Sequence, residues 1–499
     1  MANQESDHAL YQRFLRSVRS VPERHAVRDG DRACTYAELH ERALNRAGAV
    51  LAAADRPKVV GVLADRSIET YAGLLAALYA GATVVPLHPD FPAQRTERML
   101  TDASVELVLA DERGRKVLSD IGSPDVKVIE LEDAGGPGLS EPRPVRASDV
   151  AYMLFTSGST GRPKGVPITH ANARHYFELM DARYDFTPED VFSQTFDLNF
   201  DCAMFDLFCA WGAGATVQTV PPAAYRDLPR FVAERGMTVW FATPSSIVLA
   251  RKRGGLTPGA LPTLRWSLFA GEALRAADVT DWQAAAPGST IENIYGPTEL
   301  TITITGHRWR SDASPGLCVN GLVPIGAVHA GHDWILRTES GDTVGDEGEL
   351  CISGPQMTAG YLDPTDDIGR FLDHDGRRWY RTGDRVRVLG NGELIYLGRL
   401  DSQVQVQGWR VELAEVEHAL RSCPTVDDAV VVTRSVAGVT ELVVFHTGSP
   451  TEASTLYGSL RRVLPAGMLP REFRYLEEFP LNGNRKIDRG RLAREAAQE

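Results

Sequence analysis

The sequence predicts an α/β protein built on a mainly parallel sheet. Between Arg32 and Leu109, helix-like stretches alternate with short runs of β-branched residues, as they do where helices connect parallel strands. A length of 499 residues gives room for roughly two to four domains or subdomains. Hydrophobic residues make up 43% of the chain and charged residues 24%, the balance of an ordinary globular protein.

Local patterns predict the elements of this first region in order. Helices are expected at 36–54 and 67–79, and strands at 59–63 and 82–87, where β-branched residues cluster. The stretch 121–146 is rich in glycine, proline and acidic residues, so we expect a surface excursion there.

The later elements surround a glycine-rich string. A strand predicted at 151–155 runs into TSGSTGRPKG, and a helix follows at 169–183 with Thr169 as its N-cap. We therefore expect a strand, a glycine loop and a helix in succession. Further along, the patterns predict a turn and strand at 392–398, a single alternating strand at 404–411 and a helix at 413–420. A domain boundary near Asp401 fits this arrangement.

Composition excludes several classes of protein. No apolar run approaches the roughly 18 residues that span a bilayer, and the N-terminus lacks a secretory signal, so we expect a cytoplasmic protein without a membrane partner. The six cysteines lie far apart, which argues against a disulfide framework or a zinc site. A net charge of −13 opposes nucleic-acid binding.

The glycine-rich string has the chemistry of a phosphate-binding loop. Its hydroxyls donate hydrogen bonds, its glycines allow backbone N–H groups to approach phosphate oxygens, and its lysine adds a cation. The spacing fits neither the P-loop nor the dinucleotide fingerprint, and such a loop alone is often merely flexible. The residues predicted to hold phosphate are Thr156, Ser157, Gly158, Ser159, Thr160, Gly161 and Lys164.

With YMLF before it, the string resembles the signature loop of the adenylate-forming superfamily. That family includes acyl-CoA synthetases, luciferases and nonribosomal peptide adenylation domains. The similarity extends over nearly the whole chain in the family's order, through TYAEL, AGATVVPLHPDFPAQR, FDCAMFDLF, NIYGPTE, GELCISGPQMTAGYL, YRTGDRV, GRLDSQVQVQGWRVE, LPAGMLP and NRKIDR.

The resemblance implies two domains joined by a hinge at Asp401. The N-terminal domain, 1–400, would contain packed mixed and parallel sheets with helices and a β-subdomain, and would hold ATP and the substrate acid. The C-terminal domain, 401–499, would be a small mobile α+β unit that carries a catalytic lysine and rotates between two half-reactions.

The resemblance also implies catalytic residues. Attack of a carboxylate on the α-phosphorus of ATP brings two anions together, so cations and oriented dipoles must do most of the catalysis. Lys486 would stabilise that transition state, although Arg485 stands where the family usually has glycine. Glu299 would hold Mg²⁺ on the phosphates, and Thr298 would donate to a phosphate.

The nucleoside of ATP would be held by a second set of residues. In the family match, Tyr295 stacks on adenine, Asn293 reads its edge, and Asp384 accepts hydrogen bonds from both ribose hydroxyls with help from Arg399. The remaining residues implied at this slot are Gly271, Glu272, Ala273, Ile294 and Gly296.

Asp201 is predicted to pair with the ammonium group of an amino acid. It fits the F-D-x-S-x-x-D-x-F pattern of members that take amino acids, although Ala203 replaces the serine. Asp197 and Asp206 are competitors, and we expect Asp206 to cap or solvate the following helix. The resemblance also implies which residues line the pocket for the substrate side chain, and none of them is charged. They are Cys202, Phe205, Ala242, Leu268, Ala270, Ile294, Ile302 and Thr303.

An uncharged pocket partly filled by large apolar side chains favours a small neutral amino acid. Alanine is the first expectation, by similarity to stand-alone enzymes that load alanine onto carrier proteins in natural-product biosynthesis. Proline, serine, valine and a β-amino acid stay open, and the stereochemistry is not readable. An acyl- or aryl-CoA synthetase and a catalytically silent homologue are the alternatives.

We expect the acceptor thiol to lie on a separate carrier protein. No carrier-like G-G-x-S site follows the last motif, and Gln405 stands where the family often has lysine, which favours a carrier over CoA. Gly408 would let the backbone approach the pantetheine arm. The segment 455–499 has nine Arg or Lys and six Asp or Glu, so Arg461 and Arg462 are predicted to dock an acidic carrier.

Overall fold

The computed structural model describes residues 8–54, 56–122, 126–132, 138–158, 161–338, 345–481 and 487–498. Its helices are α1 (Gln12–Ser20), α2 (Tyr36–Ala53), α3 (Ile68–Tyr79), α4 (Ala93–Asp102), α5 (Glu112–Asp120), α6 (His170–Arg183), α7 (Cys202–Ala213), α8 (Leu228–Arg235), α9 (Ser245–Lys252), α10 (Ala276–Ala285), α11 (Leu413–Arg421), α12 (Ala453–Leu460) and α13 (Arg489–Ala497). Among these described helices, none is long and apolar enough to cross a bilayer.

The strands come in two groups along the chain. The first group is β1 (His25–Asp29), β2 (Arg32–Thr35), β3 (Val59–Leu63), β4 (Thr83–Leu87), β5 (Leu107–Ala110), β6 (Lys127–Glu130), β7 (Val150–Thr156), β8 (Lys164–Thr169), β9 (Val191–Gln194), β10 (Thr216–Thr219), β11 (Val239–Ala242), β12 (Trp266–Phe269), β13 (Thr290–Tyr295), β14 (Thr305–Arg308) and β15 (Ala327–Val328). The second is β16 (Asp333–Arg337), β17 (Glu347–Ser353), β18 (Phe371–His374), β19 (Arg377–Val388), β20 (Leu394–Arg399), β21 (Gln403–Val406), β22 (Trp409–Glu412), β23 (Val426–Val436), β24 (Val439–Gly448) and β25 (Glu472–Tyr475).

Two large sheets confirm the predicted α/β class. One has the order β15-β14-β13-β12-β11-β9-β10-β1-β2 and the other β6-β5-β3-β4-β7-β8, and both are parallel through their centres. Helix α3 contacts strands of both sheets, and every residue of it except Glu69 is buried. An apolar helix of this kind belongs in a core, and α3 lies between the two layers.

Three smaller sheets complete the fold. Strands β16 to β20 form the antiparallel β-subdomain that the resemblance implied. Strands β21 and β22 form a separate two-stranded sheet. Strands β23, β24 and β25 form a third small sheet, against which α11 and α13 pack. The division at residues 400 and 401 stays a prediction.

Three local predictions are wrong. Between the glycine loop and α6 lies strand β8, antiparallel to β7, so the loop joins two strands of one hairpin. The sequence 404–411 is also a hairpin, because Gln407 and Gly408 have φ of 49° and 87° and turn the chain. The third concerns Asp206, which neither caps nor solvates α7 but lies inside that helix, fully buried.

The predicted cap of α6 is present, since the Thr169 side chain accepts a hydrogen bond from the backbone N–H of Asn172.

Buried His170 gives the fold a pH dependence that can be isolated. Its Nδ1 accepts from the backbone N–H of Leu10 at 3.1 Å, and burial lowers its pKa to about 4. Because the unfolded state binds the proton near pH 6.5, this contribution to stability is lost as pH falls from there toward 4. We expect the difference in unfolding free energy between wild type and His170→Asn to shrink by about 2 kcal/mol from pH 7.5 to 5. Urea unfolding at both values measures it, and a constant difference would contradict the assignment.

Candidate functional site

A cavity of about 590 Å³ opens at the carboxyl ends of the parallel strands β7, β11, β12 and β13. This is the usual position of ligand sites in open α/β sheets, because the loops that follow the strands converge there. Many residues predicted from the sequence line it: Thr156, Ser157, Asp201, Cys202, Ala270, Gly271, Glu272, Ala273, Asn293, Ile294, Tyr295, Gly296, Thr298, Ile302, Asp384, Arg399, Asp401 and Gly408.

At one end of the cavity, Asp384 connects two of the predicted nucleoside residues. Tyr295 donates its hydroxyl to Asp384 Oδ2 at 2.5 Å, and Arg399 Nη1 donates to Oδ1 at 3.0 Å. Burial raises the pKa of Asp384 while the Arg399 guanidinium opposes that shift. Arg399 also pairs with Asp401, the predicted hinge, at 2.7 Å. The predicted ribose ligand is therefore held in place by its neighbours.

Glu299 lies beneath the cavity and does not line it. The carboxylate is completely buried, Arg410 Nη1 donates to Oε2 at 2.8 Å and to Oε1 at 3.2 Å, and Tyr361 donates to Oε1 at 2.6 Å. Burial alone would raise its pKa, but the Arg410 charge and these hydrogen bonds outweigh burial and lower the pKa to about 2. Glu299 is thus an anion at neutral pH.

An anionic carboxylate of this kind suits a magnesium ion that arrives with a nucleotide. Mg²⁺ typically takes one or two protein carboxylates and fills its other positions with water and phosphate oxygens. Within the described ranges, no group of three or more His, Cys, Asp or Glu could hold a metal by itself. The carboxylate of Glu299 therefore fits a Mg²⁺ ion whose other ligands would be phosphate oxygens and water.

The glycine loop presents only part of itself to the cavity. Thr156 and Ser157 line it, and Ser157 Oγ donates to the carbonyl oxygen of Arg410 at 2.8 Å. Lys164 is buried away from the cavity, 3.4 Å from Asp366 and over the ring of Tyr361. Gly158 and Gly161 do not line the cavity, and Ser159 and Thr160 lie outside the described residues. Phosphate binding by this loop stays a prediction.

The three candidate aspartates have different environments. Asp201 lines the cavity with 8% of its surface exposed, and its Oδ2 has no hydrogen-bond partner among the described residues. Burial raises the pKa of Asp201 to about 6. The hydrogen bond with the Thr298 hydroxyl opposes this shift, and the negative charge of Glu299 adds to it. Asp197 pairs with Arg66 at 3.1 Å. Asp206 has no partner for either oxygen in the described part of the chain, and burial raises its pKa well above the usual range.

Half of the predicted side-chain pocket reaches the cavity. Cys202, Ala270, Ile294 and Ile302 line it. Four other positions are buried behind that wall: Phe205, Ala242, Leu268 and Thr303. Phe196, which was not predicted, lines the cavity and packs on Phe241 with ring centroids 4.8 Å apart. This wall is apolar around Asp201.

The wall around Ile302 has an unusual backbone. Thr301 and Ile302 are both β-branched, yet their φ angles are 56° and 72°. Gln356 holds them. Its backbone carbonyl oxygen accepts from Thr301 Oγ1 at 2.6 Å, and its side-chain Nε2 donates to the backbone carbonyl oxygens of Leu300 at 3.0 Å and Thr303 at 2.8 Å. Strain of this type persists only where the surroundings over-determine it, and it clusters at functional sites.

Two residues of the hairpin β21–β22 were missed by the sequence analysis. Trp409 lines the cavity with its ring 5.1 Å from that of Phe200 and 6.0 Å from that of Phe91, and Arg410 lines it beside Glu299. Both stand in the quoted motif GRLDSQVQVQGWRVE. The motif indicated that these two residues matter. Their partners could not be predicted from it, because the contacts form only when the hairpin packs against the cavity.

The residues predicted to meet the carrier are at two places. Gly408 lies in the cavity, where its backbone N–H donates to Glu272 Oε1 at 2.8 Å and an added Cβ would stand 2.9 Å from Thr243. Arg461 and Arg462 are exposed at the end of α12, and Arg462 lines a groove between the two predicted domains. Lys486 lies outside the described residues.

Comparison with known proteins places this geometry in a family. Residues 14–362 match the family described as AMP-binding enzyme. The chain belongs to that family. It is 32% identical to the L-proline--[L-prolyl-carrier protein] ligase of Pseudomonas fluorescens, over 97% of this chain and 99% of the relative. Other curated relatives are longer, and the chain spans 45% of one and 8% of another.

Solved structures of the family have the same fold. The structure of IdnL7 is 55% identical, with a TM-score of 0.76 over 98% of this chain and 99% of that one. The Vibrio cholerae adenylation domain AlmE, in complex with glycyl-adenosine-5'-phosphate, is 27% identical, with a TM-score of 0.86 over 100% of this chain and 99% of that one. A large N-terminal domain with a small C-terminal one is the family arrangement.

Proposed function

We propose that this protein activates a small neutral amino acid with ATP and loads it onto a carrier protein. In the first step an oxygen of the amino acid carboxylate attacks the α-phosphorus, which forms aminoacyl-AMP and releases pyrophosphate. In the second, the phosphopantetheine thiol of a separate carrier attacks the carbonyl carbon, the thioester forms and AMP leaves. Natural-product biosynthesis in the cytoplasm is the setting that we propose.

Asp201 is the observation that carries this proposal. A carboxylate with a buried oxygen that has no partner within the described residues is costly unless a ligand supplies a donor or a cation. The ammonium group of an amino acid supplies both. A fatty or aromatic acid without an amine would leave Asp201 buried and unpaired, so the geometry disfavours the acyl- or aryl-CoA synthetase alternative.

The side chains around the cavity support a small neutral substrate. Phe196 and Trp409 are large residues that line it, together with Cys202, Ala270, Ile294 and Ile302. None of these six carries a charge that would attract an acidic or basic substrate. Two relatives also act with small neutral amino acids according to their names: AlmE was solved with glycyl-adenosine-5'-phosphate, and the Pseudomonas fluorescens ligase is named for L-proline. Alanine is our first choice.

The roles of the other residues follow from their placement. Asp384 would accept from the ribose hydroxyls, with Arg399 and Tyr295 fixing its orientation. Thr298 and Ser157 would donate to phosphate oxygens, and Glu299 would hold Mg²⁺, which neutralises the charge of the phosphates when bound. Lys486 would stabilise the charge that develops as carboxylate and α-phosphate meet. Arg461 and Arg462 would steer an acidic carrier to the enzyme.

A panel of acids in pyrophosphate exchange tests the proposal. We expect ATP–pyrophosphate exchange with alanine and, more weakly, with other small neutral amino acids, and none with glutamate, lysine, benzoate or a fatty acid. Holo carrier protein added in trans should then take up labelled amino acid, with the apo carrier as the matched control. Exchange with an acid that lacks an amine, equal to that with alanine, would show the alternative to be right.

A further inference from the structure

Asn199 brings a second unpartnered oxygen to the cavity, two residues before Asp201. Asn199, Phe200 and Asp201 all line the cavity. The side-chain Oδ1 of Asn199 is buried and accepts no hydrogen bond from any residue that the structure describes, and the same is true of Asp201 Oδ2. The proposed function uses the aspartate oxygen and leaves the asparagine oxygen without a role.

The turn that carries Asn199 is held by the fold itself. Phe200 donates its backbone N–H to the carbonyl oxygen of Asp197 at 2.9 Å, which closes the turn ahead of α7. Arg66 lies 3.1 Å from Asp197 Oδ1 and donates to the carbonyl oxygen of Gln194 at 2.9 Å. The backbone on both sides of Asn199 is therefore fixed by these contacts, and the position of its side chain does not depend on a ligand.

The usual roles of an asparagine in a turn do not account for Asn199 Oδ1. Asparagine is common in turns and at helix starts because its side-chain oxygen accepts from a nearby backbone N–H. Asn199 Oδ1 has no such donor in the described part of the chain. A buried acceptor without a donor is unfavourable, and water can satisfy it only until a ligand takes the water's place. A ligand that fills this part of the cavity must bring a donor of its own.

The position of Asp201 indicates which group of the ligand lies there. In the proposed function Asp201 pairs with the substrate ammonium group, which has three N–H donors, and one oxygen satisfies one of them. The ribose hydroxyls are assigned to Asp384. The ammonium group is therefore the donor nearest to Asn199. A neutral amide suits the second position, because a second carboxylate beside Asp201 would add like-charge repulsion whenever the site is empty.

We infer that Asn199 is a second acceptor for the substrate ammonium group, and that it selects an amine over a hydroxyl group. This inference rests on the proposed function, because it takes Asp201 as the first partner of the amine. An amino acid satisfies both oxygens. A hydroxy acid of the same shape has a single O–H, so it satisfies Asp201 and leaves Asn199 without a donor.

Analogues of the two adenylates measure this selection without catalysis. Calorimetry compares the glycyl compound 5'-O-(N-glycylsulfamoyl)adenosine with its glycolyl counterpart, in which a hydroxyl group replaces the amine. The proteins are wild type and Asn199→Leu, which removes the oxygen and keeps the volume. We expect the ratio of Kd for the glycolyl compound to Kd for the glycyl compound to fall about tenfold in the variant. An unchanged ratio would overturn the inference.

Asn199→Asp is the matched control, since it keeps an acceptor oxygen at the same position. We expect its Kd ratio to be at least that of wild type. If Asn199→Asp loses the selection as fully as Asn199→Leu does, the acceptor is not the cause and the inference is wrong. Asn391→Leu, at an exposed loop position, should leave both Kd values unchanged. If Asn199→Leu does not fold, Asn199→Ala removes the same oxygen and decides by the same ratio.

The two levels of proposal can fail separately. Neither compound has a side chain, so the ratio does not depend on alanine being the substrate. If wild type binds the glycyl compound no better than the glycolyl compound, and pyrophosphate exchange prefers an acid without an amine, both proposals fall. A glycyl preference that survives Asn199→Leu leaves the proposed function standing and removes the inference. A preference that falls in this variant supports the inference even if the exchange panel selects an amino acid other than alanine.

Discussion

Asp201→Asn should lower kcat/KM for the amino acid in pyrophosphate exchange by roughly 10²- to 10⁴-fold. The amide keeps the shape of the carboxyl group but cannot pair with the substrate ammonium, and breaking one partner of a buried ion pair costs about 3–5 kcal/mol. KM for ATP should change less, because Asp384, Tyr295 and Arg399, the residues proposed to hold the nucleoside, hydrogen-bond with one another and not with Asp201. Steady-state exchange at varied amino acid and varied ATP separates the two effects.

Asp206→Asn is the matched control for this variant. Both aspartates are buried, Asp201 at the N-cap of α7 and Asp206 inside that helix, and both are flanked by apolar side chains, but Asp206 does not line the cavity. We expect its kcat/KM to stay within about twofold of wild type. A reversed result, with Asp206→Asn impaired and Asp201→Asn active, would move the ammonium site to Asp206.

Lys486→Ala should abolish most of the first half-reaction. A single preorganised donor to developing charge is worth about 10²- to 10³-fold in rate, and Lys486 would act on the two anions that meet at the α-phosphorus. We expect pyrophosphate exchange to fall by at least that factor. Transfer to the carrier from preformed aminoacyl-AMP should fall far less, since that step no longer joins two anions.

Arg485→Ala controls for charge at the same place in the chain. It removes the neighbouring cation, at the position where the family usually has glycine, and we expect both half-reactions to remain within about threefold of wild type. Equal losses in the two variants would mean that net positive charge matters and that Lys486 has no special role. Equal loss of both half-reactions in Lys486→Ala would point to a folding defect.

The parts of the fold that could be predicted were those encoded locally. Helix 36–54 and strand 59–63 agree with the structure to within a residue, because apolar period and β-branching act over short stretches. Strand β8 was missed since it begins inside the glycine loop and contains Pro167. A proline is tolerated there because β8 is an edge strand of its sheet. The pairing of β1 with β10, whose partner residues Val27 and Val217 are 190 residues apart in sequence, could not be predicted from either strand.

In the candidate site, too, some residues could be predicted from motifs in the sequence, and others depend on tertiary packing. Motif residues such as Tyr295 and Asp384 come together because loops after parallel strands converge, which a chain-order match captures. Phe205, Ala242 and Leu268 were placed in the pocket by transfer of positions, but they are buried without lining the cavity, whereas Phe196 lines it. Arg410 was not predicted, because its contact with Glu299 exists only through the docking of a hairpin from more than 100 residues away.

The strained turn at Thr301 and Ile302 means that the substrate wall is shaped at the time of folding. Each residue at such a φ costs about 1–3 kcal/mol. The hydrogen bonds of Gln356 and the packing of the core offset that cost when the chain folds, before any substrate binds. A wall that is already rigid loses little conformational entropy when the amino acid arrives. Such a wall can also discriminate by shape, since it cannot relax around a side chain that is too large.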